Sequence, residues 1–405
     1  MAKYFVKMED SEELMHLASV TLGSPFERRG SSPYVSERGV LIADMEEDDV
    51  AAMENSGAQV FEDIEFDHLS GQAEYWEPAP TEAAPAVALG LPDVLEQIRA
   101  PDAWATTRGR GVNIAVVDTG ICDTLQEFPV WKRSSLDLQS AYAGHHWKDS
   151  KGHGSMCATI AAGTAAHGGR FNGVAPEATV ISARSTLLAS DIYTIYDELL
   201  NARANEVIEG PLVISNSYGL YTCSPPLSLP VNHPYLDIVL AAIDDGVPVV
   251  FAAGNNHYDV KCNHNPAACQ PNSIWAVNSH DRVLSVGTVN QAETNQDPST
   301  PHANSSRGPG QWAQEYLKPD CVAPTYGEVV WGCGYRVMDW WGTSGACPQV
   351  AGLAALILAV NPLLSPHEVA EIIRNTCRAL TAAPTCVGRG IIDCAAAVSA
   401  AESTP

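Results

Sequence analysis

From about Leu91 to the C-terminus, short apolar runs alternate with longer stretches of helical periodicity. The runs are VNIAVVD, ATVISAR, PLVISNS, VPVVFAAGN and VLSVGTV; the helical stretches are SMCATIAAGTAA, IYTIYDELLNARANEVI and YLDIVLAAIDDG, then ACPQVAGLAALILAV and PHEVAEIIRNTC. A strand that is apolar along its whole length must be covered on both faces, and helical crossovers are what join parallel strands. The pattern predicts an α/β fold with a doubly wound, mostly parallel sheet over residues 91–405. In such a sheet, the chemistry is expected in the crevice at the carboxyl ends of the strands.

A different pattern precedes it. YFVKM reads as a strand, Asp10 caps a helix through EELMHLAS that ends near Gly23, and GVLIAD is a second strand. DMEEDDVAAMENSG places Val50 and Met53 on one helical face, and AQVFEDIEFDHL alternates apolar with acidic residues. Residues 1–70 are therefore expected to form a small α+β, ferredoxin-like domain of split β-α-β pattern. Residues 71–90, rich in Pro and Ala and without periodicity, are expected to be an exposed linker.

Composition narrows the function. With 45% hydrophobic and 18% charged residues, the 405-residue chain has ample core material and is not a disordered one. The net charge is -25, of which the first 90 residues, with 19 acidic and 5 basic side chains, carry -14. Phosphate-rich partners are repelled by such a surface, so neither nucleic acid nor an anionic membrane is an expected partner. The apolar stretch Val350–Val360 is shorter than the ~18–20 residues of a membrane span. MAKYFVKMED contains no secretory apolar region, which leaves an intracellular protein, or one exported by another route, as the expectation. Of 11 cysteines at least one must be unpaired; Cys262 with Cys269 and Cys377 with Cys386 are near enough for short-loop disulfides, and isolated buried thiols are the alternative.

Four segments place reactive groups at the ends of strands or the starts of helices. In IAVVDTG, Asp118 ends a strand; in KGHGSMCATIAAG, His153 sits between glycines ahead of a small-residue helix. In GTSGACPQVAGLAALILAV, Ser344 opens a long apolar helix, whose unpaired N–H groups and positive end suit a developing oxyanion. VVFAAGNN puts Asn255 just past another strand. Each alone also reads as an ordinary turn or cap residue; the four together, in the order Asp, His, Ser, point to acyl transfer by an activated serine.

These segments, with SNSYG, GVAPEA, SSRGP and KPDCVAPT, resemble the subtilase family of serine proteases over roughly residues 91–395. The resemblance implies Ser344 as nucleophile, His153 as base and then acid, Asp118 as orienting carboxylate, and the Asn255 side chain with the Ser344 amide as oxyanion donors. It implies that Ser217, Tyr218 and Gly219, with Ala252, Ala253 and Gly254, flank an extended polypeptide substrate. It further implies that residues 1–70 are a propeptide, the chain's own inhibitor, cut away somewhere between Leu69 and Gly90. Structural Ca²⁺ is common in the family, but no ligands can be assigned. Departures from the family pattern are Gly345 for Met, Gln349 for His, Ser155 and Met156 after Gly154, and Cys122 where an acidic residue is usual. Two other readings compete. One is a catalytically silent peptide-binding module; the other, a thiol protease, lacks a cysteine in a Gly-flanked turn at a helix start.

Overall fold

The computed structural model describes residues 2–8, 11–22, 33–67, 89–220, 229–257, 272–289 and 300–404. Asp10, Gly23, the linker up to residue 88, Cys262 and Cys269 lie outside them. The N-terminal unit comprises β1 (Ala2–Lys7), α1 (Ser11–Leu22), β2 (Tyr34–Ser36), β3 (Val40–Met45), α2 (Glu47–Asn55) and β4 (Gln59–Glu62). Its antiparallel sheet has the order β2-β3-β1-β4. Side chains alternate across a strand. Val6, Leu41, Ala43 and Met45 accordingly pack with Leu14, Ala18 and Met53 of the two helices, whereas Phe5, Val40 and Ile42 join the core of the larger unit. That double burial is why GVLIAD is apolar throughout instead of alternating.

The larger unit runs through α3 (Leu91–Gln97), α4 (Ala100–Ala103), β5 (Asn113–Asp118), α5 (His153–Ala162), β6 (Thr179–Arg184), α6 (Ala189–Ala204), β7 (Leu212–Asn216), α7 (Pro234–Asp244), β8 (Val249–Ala252) and β9 (Leu284–Val289). It continues with β10 (Cys321–Pro324), β11 (Gly327–Trp331), β12 (Gly334–Met338), α8 (Gly342–Val360), α9 (Pro366–Thr376), α10 (Pro384–Val387) and α11 (Cys394–Ser403). Six strands form a parallel sheet of order β10-β9-β8-β7-β5-β6. The chain leaves β5 in one direction to β6, then returns to the other side for β7, so the strand order reverses at β5. Residues from α5, α8 and α11 build the core on one face of the sheet; residues from α6 and α7 build it on the other, where the N-terminal unit docks.

All five apolar runs are strands. The sequence reading missed β10, four residues long, and the β11–β12 hairpin, whose pattern Gly332-Cys333-Gly334 breaks up. Helix α8 begins eight residues before Val350 and is, by length and composition, apolar enough to cross a membrane. Its hydrophobic window is 89% buried, however, and it is the central core helix.

The pairing of Cys377 with Cys386, which their proximity in sequence allows, is not formed. Cys377 keeps a free thiol whose Sγ donates to the Ile373 carbonyl at the end of α9, while Cys386 is committed to a different disulfide. Proximity in sequence also gave no hint of Cys122–Cys333, which joins residues 211 apart and ties the loop after β5 to the hairpin turn. Removing this cross-link by Cys333→Ser is expected to lower stability by about 2–4 kcal/mol, read as a lower urea midpoint with a raised m-value, because the unfolded chain is released from the loop that the bond closes.

Candidate active site

Asp118 is the last residue of β5 and almost wholly buried. Thr119 donates its N–H to Asp118 Oδ1 at 2.7 Å, and the two carboxylate oxygens lie 2.8 and 2.9 Å from His153 Nδ1. His153 is the first residue of α5. A Cβ on Gly154 would lie 2.2 Å from the Gly120 carbonyl oxygen, and one on Gly152 would lie 2.6 Å from Trp331 Nε1. Glycine on both sides of the histidine is thus a packing requirement.

The start of α5 is capped from a distance. Asp149 accepts from the Gly152 and Ser155 amides at 2.7 and 2.9 Å and from Thr119 Oγ1 at 2.8 Å, while Thr119 Oγ1 accepts from the Gly154 amide at 2.8 Å. Asp149 and Thr119 thereby lock the histidine's turn to the strand that carries Asp118. Sequence reasoning passed over both, although an Asp shortly before a helix is a standard capping signal. Burial opposes a charge on His153, but the charge and hydrogen bond of Asp118 outweigh it, and the imidazole pKa is raised above its ordinary value.

Ser344 is the third residue of α8. Its carbonyl has lost the usual helical donor because Pro348, four residues on, has no N–H. Ser217 Oγ, at 3.0 Å, and Cys157 Sγ, at 3.4 Å, donate to it instead. Cys157 lies one turn along α5 from His153, with Sγ 3.8 Å from Nδ1, so this shared carbonyl holds the openings of α5 and α8 side by side. Ser344 Oγ in turn donates to the Ser217 carbonyl at 3.3 Å.

The Asn255 side chain meets the same helix opening. Its Oδ1 accepts both the N–H and the hydroxyl of Thr343 at 2.8 Å, and Thr343 Oγ1 accepts the Gly254 amide at 3.1 Å. With the oxygen end so committed, the amide Nδ2 becomes the end presented away from Thr343. Asn278 Nδ2 donates to the Tyr218 and Ala252 carbonyls, 2.8 Å each, which sets Ser217-Tyr218-Gly219 beside Ala252-Ala253-Gly254. The Tyr218 and Tyr196 hydroxyls both donate to Asn216 Oδ1, fixing the first stretch from beneath.

A third stretch was not foreseen. Leu187-Leu188-Ala189, after β6, lines the opposite side of a groove, and residues 64–67 of the N-terminal unit lie between it and Gly219. Phe66 N–H donates to the Leu187 carbonyl, Ala189 N–H to that of Ile64, and Asp67 and Gly219 exchange two hydrogen bonds.

The departures from the family pattern have local causes. A Cβ at Gly345 would stand 2.7 Å from Cβ of Trp341, which occupies that space. Gln349 Nε2 ties α8 to β10 through the Pro324 carbonyl at 2.7 Å, Ser155 Oγ accepts from the Cys122 amide at 2.9 Å, and Cys122 is taken up in its disulfide.

Among the described residues, the one cluster with metal-ligand spacing is Asp118, His153 and Cys157. Burial keeps the Cys157 thiol protonated, and one carboxylate, one imidazole and one thiol are not the oxygen-rich set that calcium takes. The cluster does not fit calcium, and the chemistry below uses none.

An Asp–His pair and a helix-opening serine on one rim of a parallel sheet place the protein in the class of α/β serine hydrolases. A family model described as "Subtilase family" matches residues 109–390, and the chain belongs to that family. It is 30% identical over 306 residues to "Serine protease AprX" of Bacillus subtilis (strain 168), which covers 67% of this chain and 62% of AprX. To a "Calcium-dependent protease" of Nostoc sp. it is 29% identical, over 68% of this chain and 43% of the relative. It thus spans about three-fifths or less of the length of either relative. The crystal structure of MycP1 with the N-terminal propeptide removed shares the fold, with TM-score 0.57 at 24% identity over 75% of this chain and 96% of that one.

Proposed function

We propose that the protein is a serine endopeptidase that cuts extended polypeptides, and that residues 1–70 are a propeptide that occupies its cleft until removed. The observation that carries this is the hydrogen-bonded Asp118–His153 pair beside the opening of α8, where Ser344 and Asn255 meet. His153 takes the Ser344 proton as Oγ adds to the scissile carbonyl, then returns it to the leaving nitrogen; water repeats the cycle on the acyl ester. Asp118 holds the proton on Nδ1 and stabilises the imidazolium. Asn255 Nδ2 and the Ser344 N–H donate to the oxyanion, the latter aided by the positive end of α8.

The occupied groove supports a polypeptide substrate. Residues 64–67 pair with both walls as an added strand, a mode of binding that reads main chain. The unit supplying that strand is anchored by Phe5, packed edge-on to Tyr193 and His233, and by Arg38 and Tyr34 on the buried Asp197.

A fluorophosphonate probe tests the proposal. It should label Ser344 in protein freed of its N-terminal unit, and casein should be degraded by the same sample; folded protein that is neither labelled nor active would be a silent binding module. Asn255→Ala is expected to lower kcat by about 10² to 10³ with little change in KM, because the lost hydrogen bond forms only as the oxyanion develops.

A further inference from the structure

We infer that Trp331 is a positioning residue for His153, held in place by the Cys122–Cys333 disulfide, so that activity depends on whether that bond is closed. This rests on the peptidase reading of the site and deepens it. Three links close a ring around the turn that opens α5. From inside, the Cys122 N–H donates to Ser155 Oγ at 2.9 Å; from outside, the Gly332 N–H donates to the Gly152 carbonyl at 3.1 Å. The third is the disulfide, which joins Cys122 to Cys333, the residue after Gly332. The segment from Gly152 to Ser155, with His153 in it, is thereby gripped between the loop after β5 and the turn of the β11–β12 hairpin.

Trp331 stands against the histidine within this ring. Its ring centroid lies 6.2 Å from that of His153 with the planes at 89°, an edge-on contact. A Cβ on Gly152 would come within 2.7 Å of Trp331 Cδ1 and 2.9 Å of the Gly332 nitrogen, so indole and backbone both rest on the turn. The disulfide matters because the outer strand of the hairpin is weakly held. β11 is anchored by the buried Val329 and Val330, but β12 pairs with β11 and exposes Tyr335 and Val337, and a two-stranded ribbon by itself is marginal in water. Tyr335 adds one bond, its hydroxyl donating to Glu127 Oε1 at 3.0 Å.

Cys333 is exposed and Cys122 buried, so a dithiol reductant reaches the bond from the hairpin side. Its thiolate bonds to Cys333 Sγ as the disulfide breaks, and Cys122 Sγ leaves with the electron pair and takes up a proton. The second thiol then displaces Cys333. Two electrons pass to the protein, which gains two thiols, and the reductant ends as a disulfide. Opening the bond frees the hairpin turn, and Trp331 with it, from the histidine. The groove walls at residues 187–189, 217–219 and 252–254 lie on other loops and are left intact.

Wild type, Trp331→Ala, Trp331→Phe and the double variant Cys122→Ser/Cys333→Ser, each expressed as the full chain, are compared in kcat, KM and pH profile on a chromogenic peptide. Trp331→Ala and the double variant should lose about 10- to 10²-fold in kcat with KM little changed, and Trp331→Phe, which keeps a ring, should recover most of it. A dithiol should cost the wild type the same factor, reversed on reoxidation, and leave the double variant unchanged. The pH profile separates positioning from lost stability. The imidazole also faces Asp118 from β5, Asp149 ahead of α5, Asp67 from the N-terminal unit and Cys157 along α5, while Arg336 of β12 lies over the indole, exposed to solvent. Burial lowers the His153 pKa, so stripping the indole away raises it, and the acidic limb of kcat/KM should move up in Trp331→Ala. Imidazole NMR of the full-length Ser344→Ala chain, with and without Trp331→Ala, reads the same shift without turnover, and so tests the contact even where the peptidase reading fails. A His153 titration that Trp331→Ala leaves unmoved, or an active wild type indifferent to the dithiol, overturns the inference.

Discussion

Ser344→Ala is expected to leave the chain at full length and to lower peptide-bond turnover by about 10⁶, the scale of loss when the nucleophile of a serine peptidase is removed. The fold should survive. Ser344 is buried at the opening of α8, where alanine fits, and its hydroxyl donates to the Ser217 carbonyl at 3.3 Å. Losing one such hydrogen bond costs about 1 kcal/mol. The carbonyl bonds from Ser217 and Cys157, which hold α5 against α8, do not involve the replaced atom. His153→Ala should be nearly as damaging, and the double variant little worse than either, because a nucleophile without its base has no activity left to lose. A chromogenic peptide gives the turnover and intact mass gives the processing; a Ser344→Ala chain that still shortens itself would show that another group, or another enzyme, makes the cut.

The fold was legible wherever one face or both faces of an element had to be covered. β5 through β9 declared themselves as apolar runs because the parallel sheet is sandwiched between two helical layers. β10 and the β11–β12 hairpin did not. β10 is fully buried but only four residues long and ends in a proline, and β12 exposes Tyr335 and Val337, so neither shows the long apolar run of a central strand. The N-terminal strands β1 and β3 were recognised, but their second apolar face gave no clue to its target, α6 and α7. Docking partners of a face are a long-range property that periodicity does not encode.

The candidate site divides in the same way. Asp118, His153, Ser344 and Asn255 stand at strand ends or helix starts, positions that local patterns mark, and the structure brings them to one rim. Ser217 through Gly219 and Ala252 through Gly254 were reached through resemblance, and Asn278 between them carried no sequence signal. Nor did Leu187–Ala189, whose role comes from facing Gly219 across the groove. The disulfide from Cys122 to Cys333 leaves no trace in sequence spacing because it joins two loops that only the folded sheet brings together.

Asp118→Asn is expected to lower kcat by about 10⁴ while leaving the site's shape unchanged. A carboxylate can only accept, so with both oxygens within 2.9 Å of Nδ1 the imidazole must carry its proton there, and its other nitrogen, unprotonated, can act as a base. An asparagine can turn an NH₂ toward Nδ1 and favour the opposite tautomer, in which Nε2 is already protonated. The pH profile distinguishes this from simple loss of packing. His153 works as a base only when neutral, so wild-type activity is present above its raised pKa and is lost as pH falls through it. Burial, the largest influence, lowers that pKa; the Asp118 charge and hydrogen bond are the chief influences that raise it, followed by the charges of Asp149 and Asp67. Without them burial prevails, the imidazole stays neutral to lower pH, and the acidic limb of kcat/KM should move down even as the plateau drops. A plateau that falls with the limb unmoved would mean that the Asp118 charge does not raise the His153 pKa.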